Sequence, residues 1–166
     1  MKRYIDCDGI ILNTEEGLFD EYYRLKENNP NYKRLHYLQT MDWEKWIEQA
    51  KFIGDAYEVL KAYDPSKADI LTKVHSLNEA KVKIRFFKSE GIKNNVIIVP
   101  YGLSKTEVVS AKGNILVDDS QGNLDEWNLA GGYAFYMGNK DIVYPKIETL
   151  DDIMDDEKVK KLIVSR

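Results

Sequence analysis

Arg3-Tyr4-Ile5-Asp6-Cys7-Asp8-Gly9 stands at the start of the chain and decides its fold. Arg3 to Cys7 reads as a short strand, and Asp8-Gly9 ends it, because glycine permits the backbone turn that a site beyond a strand needs. More than a hundred residues later Ile115-Leu116-Val117 forms a second apolar run that again stops on acids, Asp118-Asp119. Between them lie Ala68-Asp69-Ile70-Leu71-Thr72 and Val96-Ile97-Ile98-Val99, and beyond them Tyr133-Ala134-Phe135-Tyr136. The Val96–Val99 run is of the kind found in strands covered on both faces. Ser76-Leu77-Asn78-Glu79 has the form of a capping box ahead of a helix that closes at Gly91, and Lys105 opens another helix beside a strand end. This alternation predicts an α/β fold: a parallel sheet with helices on both faces and ligands at the carboxyl ends of its strands.

One segment breaks the alternation. From Glu15 to Pro65 only helices are expected: one capped by Asn13 and running to Lys26, and one long amphipathic helix carrying Trp43, Trp46, Ile47, Ala50, Ile53, Tyr57 and Leu60. Ten of the chain's nineteen aromatics fall here. We read residues 15–65 as a small α-helical cap inserted after the first strand. Most of its aromatics serve to bury area in a small unit, and one or two face the cleft.

The 166 residues, 31% of them charged, hold no apolar run near the ~18 needed to cross a bilayer. Met1-Lys2-Arg3 imitates the basic start of a secretory signal, but Asp6 and Asp8 interrupt the apolar stretch that should follow. A single cysteine and two separated histidines give no disulfide and no thiolate or imidazole metal cluster, which suits a reducing cytoplasm. Cys7 reads as a buried strand residue pointing away from Asp6. His36 and His75 read as ordinary polar residues. The acidic run from Asp151 to Glu157 lacks the glycine and spacing of a calcium loop and reads as a helix start. A net charge of −4 with no basic block excludes recruitment by bulk attraction to nucleic acid or to an anionic membrane. Any phosphate chemistry must be local.

The strand ends supply it. A parallel sheet gathers Asp6, Asp8, Thr72, Lys105, Asp118 and Asp119 along one edge. Four carboxylates and one ammonium facing a phosphate monoester, itself near −2, require a cation with oxygen preference, and Mg²⁺ fits. Asp6 and Asp118 are the expected direct ligands, with the backbone carbonyl of Asp8 as a third. Asp6, ionised, would attack phosphorus in line. Asp8, with its pKa raised by crowded acids, would protonate the leaving oxygen and later deprotonate water. Thr72 and Lys105 would hold the transferring oxygens. Lys81 and Lys83 compete with Lys105 but fall in the middle of the helix after Ser76.

Asp6-Cys7-Asp8-Gly9 with Thr14, Thr72 at a strand end, Lys105 within Val99-Pro100-Tyr101-Gly102-Leu103-Ser104-Lys105, and Asn114 to Asp119 together resemble the four motifs of the haloacid dehalogenase-like hydrolases. The match spans Tyr4 to Phe135. The inserted cap and the stretch Ser104 to Val108 resemble more narrowly the 5'(3')-deoxyribonucleotidase branch. The resemblance implies a Rossmann-like core at 1–14 and 66–166, Mg²⁺ dependence and an aspartyl-phosphate on Asp6. It also implies the acid/base aspartate of phosphatases at Asp8 and a place for Asp119 behind the metal's water. Lys73, His75 and Ser76 depart from its pattern. The expected activity is hydrolysis of a small phosphorylated metabolite, with a (deoxy)ribonucleoside monophosphate first. The rivals are a sugar-phosphate or polynucleotide 3'-phosphatase of the same fold, a receiver-like signalling domain, and a non-catalytic phosphate binder. A receiver domain would place its acid pair near the N-terminus and has no fifty-residue helical insertion.

Overall fold

In the computed structural model, which describes residues 1–165, β1 (Arg3–Ile5), β2 (Ala68–Lys73), β3 (Val96–Val99), β4 (Ile115–Asp118) and β5 (Tyr133–Tyr136) form one parallel sheet. Their order is β3-β2-β1-β4-β5, which puts the N-terminal strand at the centre. Nine helices accompany them among the described residues: α1 (Asp20–Asn28), α2 (Arg34–Thr40), α3 (Trp43–Gln49), α4 (Ala56–Ala62), α5 (Leu77–Ser89), α6 (Lys105–Val108), α7 (Gln121–Leu129), α8 (Asp151–Met154) and α9 (Asp156–Val164).

Period-two alternation sends Ile5, Ile70, Ile115 and Val117 to one face of the sheet and Tyr4, Leu71, Leu116 and Ala134 to the other. The first face is covered by α4, α5, α8 and α9 through Leu60, Phe87, Met154 and Val159. The second is covered by α7 through Leu124 and Trp127. Helices on both faces are therefore as the alternation predicts. β3 differs from expectation in one respect. As the edge strand, it leaves Val96, Ile97 and Ile98 half-buried.

The helical insertion is built differently from its periodicity. Asn13 caps no helix: residues 13–19 are turns, and α1 begins at Asp20. The Asn13 carbonyl oxygen Oδ1 instead accepts from the Lys51 amide at 2.7 Å, which ties the outgoing chain to the returning one. The single long helix is also broken. α3 stops at Gln49, and Phe52 then pairs with Leu12 while Ile53 donates to Ile11 O at 2.8 Å. Gly54, at φ +50, turns the chain into α4. The backbone groups that a continuous helix would pair internally are satisfied by the crossing chain. The apolar spacing survives because each half buries its own stripe. Trp43 and Ile47 join Leu18, Tyr22, Tyr37 and Leu38 in a separate cluster, whereas Ala56, Val59 and Leu60 of α4 pack with the sheet. Val82 of α5 closes the aromatic cluster from the core side. The acidic C-terminal run starts α8 and α9, with Asp155 capping the latter through the Glu157 and Lys158 amides. No helix among the described residues is long and apolar enough to cross a membrane.

Candidate active site

Asp6 lies just past β1, its amide still donating to Val117 O at 3.0 Å, so its side chain is held level with the end of β4. Asp118 is the last residue of β4 and is fully buried. Between them stands Lys105, the first residue of α6, also buried. Its ammonium donates to Asp6 Oδ1 at 2.8 Å and to Asp118 Oδ2 at 2.7 Å. The Ser104 amide donates to Glu107 Oε2 at 2.7 Å, closing the first turn of α6 and fixing where Lys105 starts. The other Asp118 oxygen accepts from the Ser120 amide at 2.9 Å, and Asn123 Nδ2 donates to Oδ2 at 3.0 Å. Asn123 was not foreseen as part of the site. Its Oδ1 accepts from Lys73 at 2.8 Å, which gives Lys73 a place.

Asp119 turns beside this group. One oxygen each from Asp6, Asp118 and Asp119 lie within 4.8 Å of one another. All three donors are hard carboxylate oxygens, the set that suits Mg²⁺. Gly9, at φ +81, makes the crowding feasible: a Cβ there would lie 2.3 Å from Asp119 Oδ2 and 2.8 Å from Glu15 Oε2. Burial and the neighbouring Glu15 carboxylate push Asp119 up to about 8. Burial first, and then Asp118, also hold Asp6 well above the ordinary carboxylate range, with Lys105 opposing. Concentrated negative charge of this kind is what a divalent cation relieves.

Asp8 belongs to a second cluster. Its Oδ2 accepts from Lys83 at 2.7 Å and its Oδ1 from the Thr14 hydroxyl at 2.5 Å. Lys83 is completely buried on α5 and also donates to Glu79 Oε2 at 2.6 Å and Thr72 Oγ1 at 3.2 Å. The expectation that crowded acids raise Asp8 is overturned. Burial acts upward, but the Lys83 charge and hydrogen bond and the Thr14 hydroxyl outweigh it, and Asp8 sits below its ordinary value. Burial would lower Lys83, and the carboxylates of Asp8 and Glu79 raise it instead.

Setting Lys83 aside as a mid-helix residue was therefore a misreading. Its signal was present: Ala80, Lys83 and Phe87 share one buried stripe, and Glu79 stands four residues before it. Glu79 itself closes no ring onto Ser76. Ser76 caps α5 by accepting from the Glu79 amide at 3.1 Å, while the Glu79 carboxylate accepts from the His75 amide and faces His75 Nδ1, both at 2.9 Å. Thr72 is buried as expected for a strand-end residue, but its hydroxyl turns toward Lys83 and not toward Lys105. Cys7 is buried, and burial pushes its thiol well up, as befits an inert strand residue.

The six residues foreseen for the site thus converge from β1, β2, α6 and β4, arranged around two buried lysines where one was expected. No protein-family profile matches the chain, and no curated protein matches its sequence. Solved structures do match its fold. An Entamoeba histolytica HAD hydrolase of family IA, variant 3, superposes with a TM-score of 0.68 at 12% identity, covering 98% of this chain and 99% of that one. A HAD phosphatase from Thermococcus onnurineus gives 0.62 at 14% identity, covering 92% and 96%. A Bacillus subtilis HAD-hydrolase described as bound to magnesium gives 0.59 at 14% identity, again covering 92% and 96%. What the chain shares with these proteins is the haloacid dehalogenase-like (HAD) fold, over nearly the whole of each chain.

Proposed function

We propose that the protein is a Mg²⁺-dependent phosphomonoesterase acting on a small phosphorylated metabolite, with a (deoxy)ribonucleoside monophosphate as the first candidate. The observation that carries this reading is the pairing of two aspartates, two residues apart, with two different buried lysines: Asp6 with Lys105 and Asp8 with Lys83. One is placed among the metal-holding carboxylates, the other outside them.

Asp6, Asp118 and Asp119 would hold the cation, with the Asp8 backbone carbonyl as a further oxygen; when bound, it neutralises the phosphate and keeps Asp6 ionised. The Asp6 carboxylate attacks phosphorus, the P–O bond to the leaving group breaks, and Asp8 gives that oxygen its proton. A water then attacks the phosphorus of the aspartyl-phosphate while Asp8 takes one of its protons, releasing phosphate and restoring Asp6. Asp8 gives one proton and takes one back in each turnover, so the cycle balances. Lys83 makes Asp8 a readier proton donor than an isolated buried carboxylic acid. Lys105 steadies the transferring oxygens.

The test is phosphate release from a panel of nucleotides and sugar phosphates, with Mg²⁺ and with chelator, for the wild type and Asp6→Asn. The expected result is turnover that needs the metal and falls by about a thousandfold or more in the variant. Undiminished turnover in Asp6→Asn removes the nucleophile, and no release from any ester removes the phosphatase reading.

A further inference from the structure

A cavity of about 470 Å³ runs from Asp8 to the underside of the helical insertion. Phe19, Leu38 and Trp43 wall it from the insertion, His75 from the end of β2, and Arg34 stands at its rim. Of the acids that line it, Asp8 and Glu79 share Lys83, and Glu15 stands beside the Asp119 carboxylate. Arg34, exposed like Arg85, makes no side-chain ion pair or hydrogen bond among the described residues, whereas Arg3 and Arg24 are each committed to a carboxylate. What Arg34 does have is Phe19, whose ring centroid lies 3.8 Å from the guanidinium carbon. Stacking of this kind holds the guanidinium while leaving its N–H edges free, and those edges match the two oxygens of a carboxylate or phosphate. The far wall is rigid as well. Trp43 is 2% exposed and its indole donates to Leu38 O at 2.8 Å.

We infer that this cavity receives the leaving group of the phosphomonoester and that Arg34 binds a second anionic group, carboxylate or phosphate, at the end of that leaving group remote from the scissile bond, which favours a doubly anionic ester over a nucleoside monophosphate, whose leaving nucleoside is uncharged. The inference rests on the phosphatase reading, which puts the leaving oxygen at Asp8 and the rest of the leaving group in the space beyond it. The apolar walls suit a flat or aliphatic body between the two charged ends.

The experiment compares 4-carboxyphenyl phosphate with its neutral isostere 4-carbamoylphenyl phosphate and with 1,4-phenylene bisphosphate, in Mg²⁺, for the wild type, Arg34→Met and Arg34→Lys. Binding of 4-hydroxybenzoate against 4-hydroxybenzamide, read from tryptophan fluorescence, runs beside it and needs no turnover. The wild type should favour at least one charged ester by about tenfold in kcat/KM, mostly through KM. Arg34→Met should bring charged and neutral esters to parity, and Arg34→Lys should restore part of the preference. The more favoured charged ester tells carboxylate from phosphate. Equal use of charged and neutral esters, or a preference that survives Arg34→Met, overturns the inference. If no phosphomonoester is hydrolysed while 4-hydroxybenzoate still binds through Arg34, the phosphatase reading falls and the anion subsite stands.

Discussion

Replacing Lys83 by methionine tests the two-lysine arrangement where it is most costly. The side chain is fully buried, and its ammonium satisfies Glu79 at 2.6 Å, Asp8 at 2.7 Å and Thr72 at 3.2 Å. Methionine keeps much of the volume and removes the charge, so the chief loss is electrostatic: Glu79, 1% exposed, keeps only His75, and Asp8 keeps only Thr14. Breaking a buried pair from one side costs about 3–5 kcal/mol. Urea unfolding at pH 7 should show a loss of that order, a large share of the ~5–15 kcal/mol that holds a domain together. Adding Glu79→Leu to the Lys83→Met chain removes the stranded acid, and the double variant should recover much of the loss. The pH dependence follows from Asp8. Because its folded-state pKa is depressed, its contribution is present above the unfolded value of about 3.9 and is lost as pH falls through the folded one. The deficit of Lys83→Met should therefore be largest near neutrality and shrink in acid. A Lys83→Met protein within about 1 kcal/mol of wild type, or a double variant no better than the single, would refute the reasoning.

Asp8→Asn should leave phosphorylation of Asp6 possible while slowing water attack, so a quenched reaction should trap more covalent phosphate than wild type; equal trapping counts against Asp8 as the base. Gly9→Ala puts a methyl group 2.3 Å from Asp119 Oδ2 at φ +81, so it should cost about 1–3 kcal/mol in unfolding experiments and raise the Mg²⁺ concentration needed for half-maximal activity. A variant matching wild type in both would show that Asp119 is not held by this close approach. Glu15→Gln removes the charge that helps push Asp119 up to about 8. In chelator, the wild type should lose stability as pH rises from about 4 to 8, because the folded state holds a proton the unfolded state has released, and the variant should show a flatter slope. Parallel slopes would detach Glu15 from Asp119.

The sheet was legible because its signals are local. Apolar runs such as Val96–Val99 and Ile115–Val117 that stop on polar residues have one ready explanation, and parallel topology then converges Asp6, Thr72 and Asp118 without further information. The helical insertion was less legible because period 3.6 records which residues are buried and not what buries them. The stripe from Trp43 to Leu60 is continuous in sequence, yet its first half packs into the aromatic cluster and its second onto the sheet. Lys83 was missed for a related reason. A lysine in mid-helix is usually solvated, and it is Asp8, brought across from β1, together with Glu79 that allows its burial here. The pKa of Asp8 followed the same error, since counting nearby acids without the hidden cation gives the wrong sign.

The helix that carries Lys83 also bears on how chemistry and substrate choice are separated. Along α5, Val82 packs into the aromatic cluster of the insertion, Lys83 holds Asp8, and Phe87 packs beneath the sheet. Three demands on one rigid element fix Asp8, the proposed acid/base residue, relative to both layers. Arg34, Phe19 and Leu38, by contrast, sit on the part of the insertion that touches neither lysine. Trp43, from the same insertion, holds its ring 5.6 Å from the Lys83 ammonium. Changes at Arg34 or Phe19 should therefore alter which ester is used, while changes at Trp43 should alter the rate for every ester, because Trp43 lies against the lysine that sets Asp8.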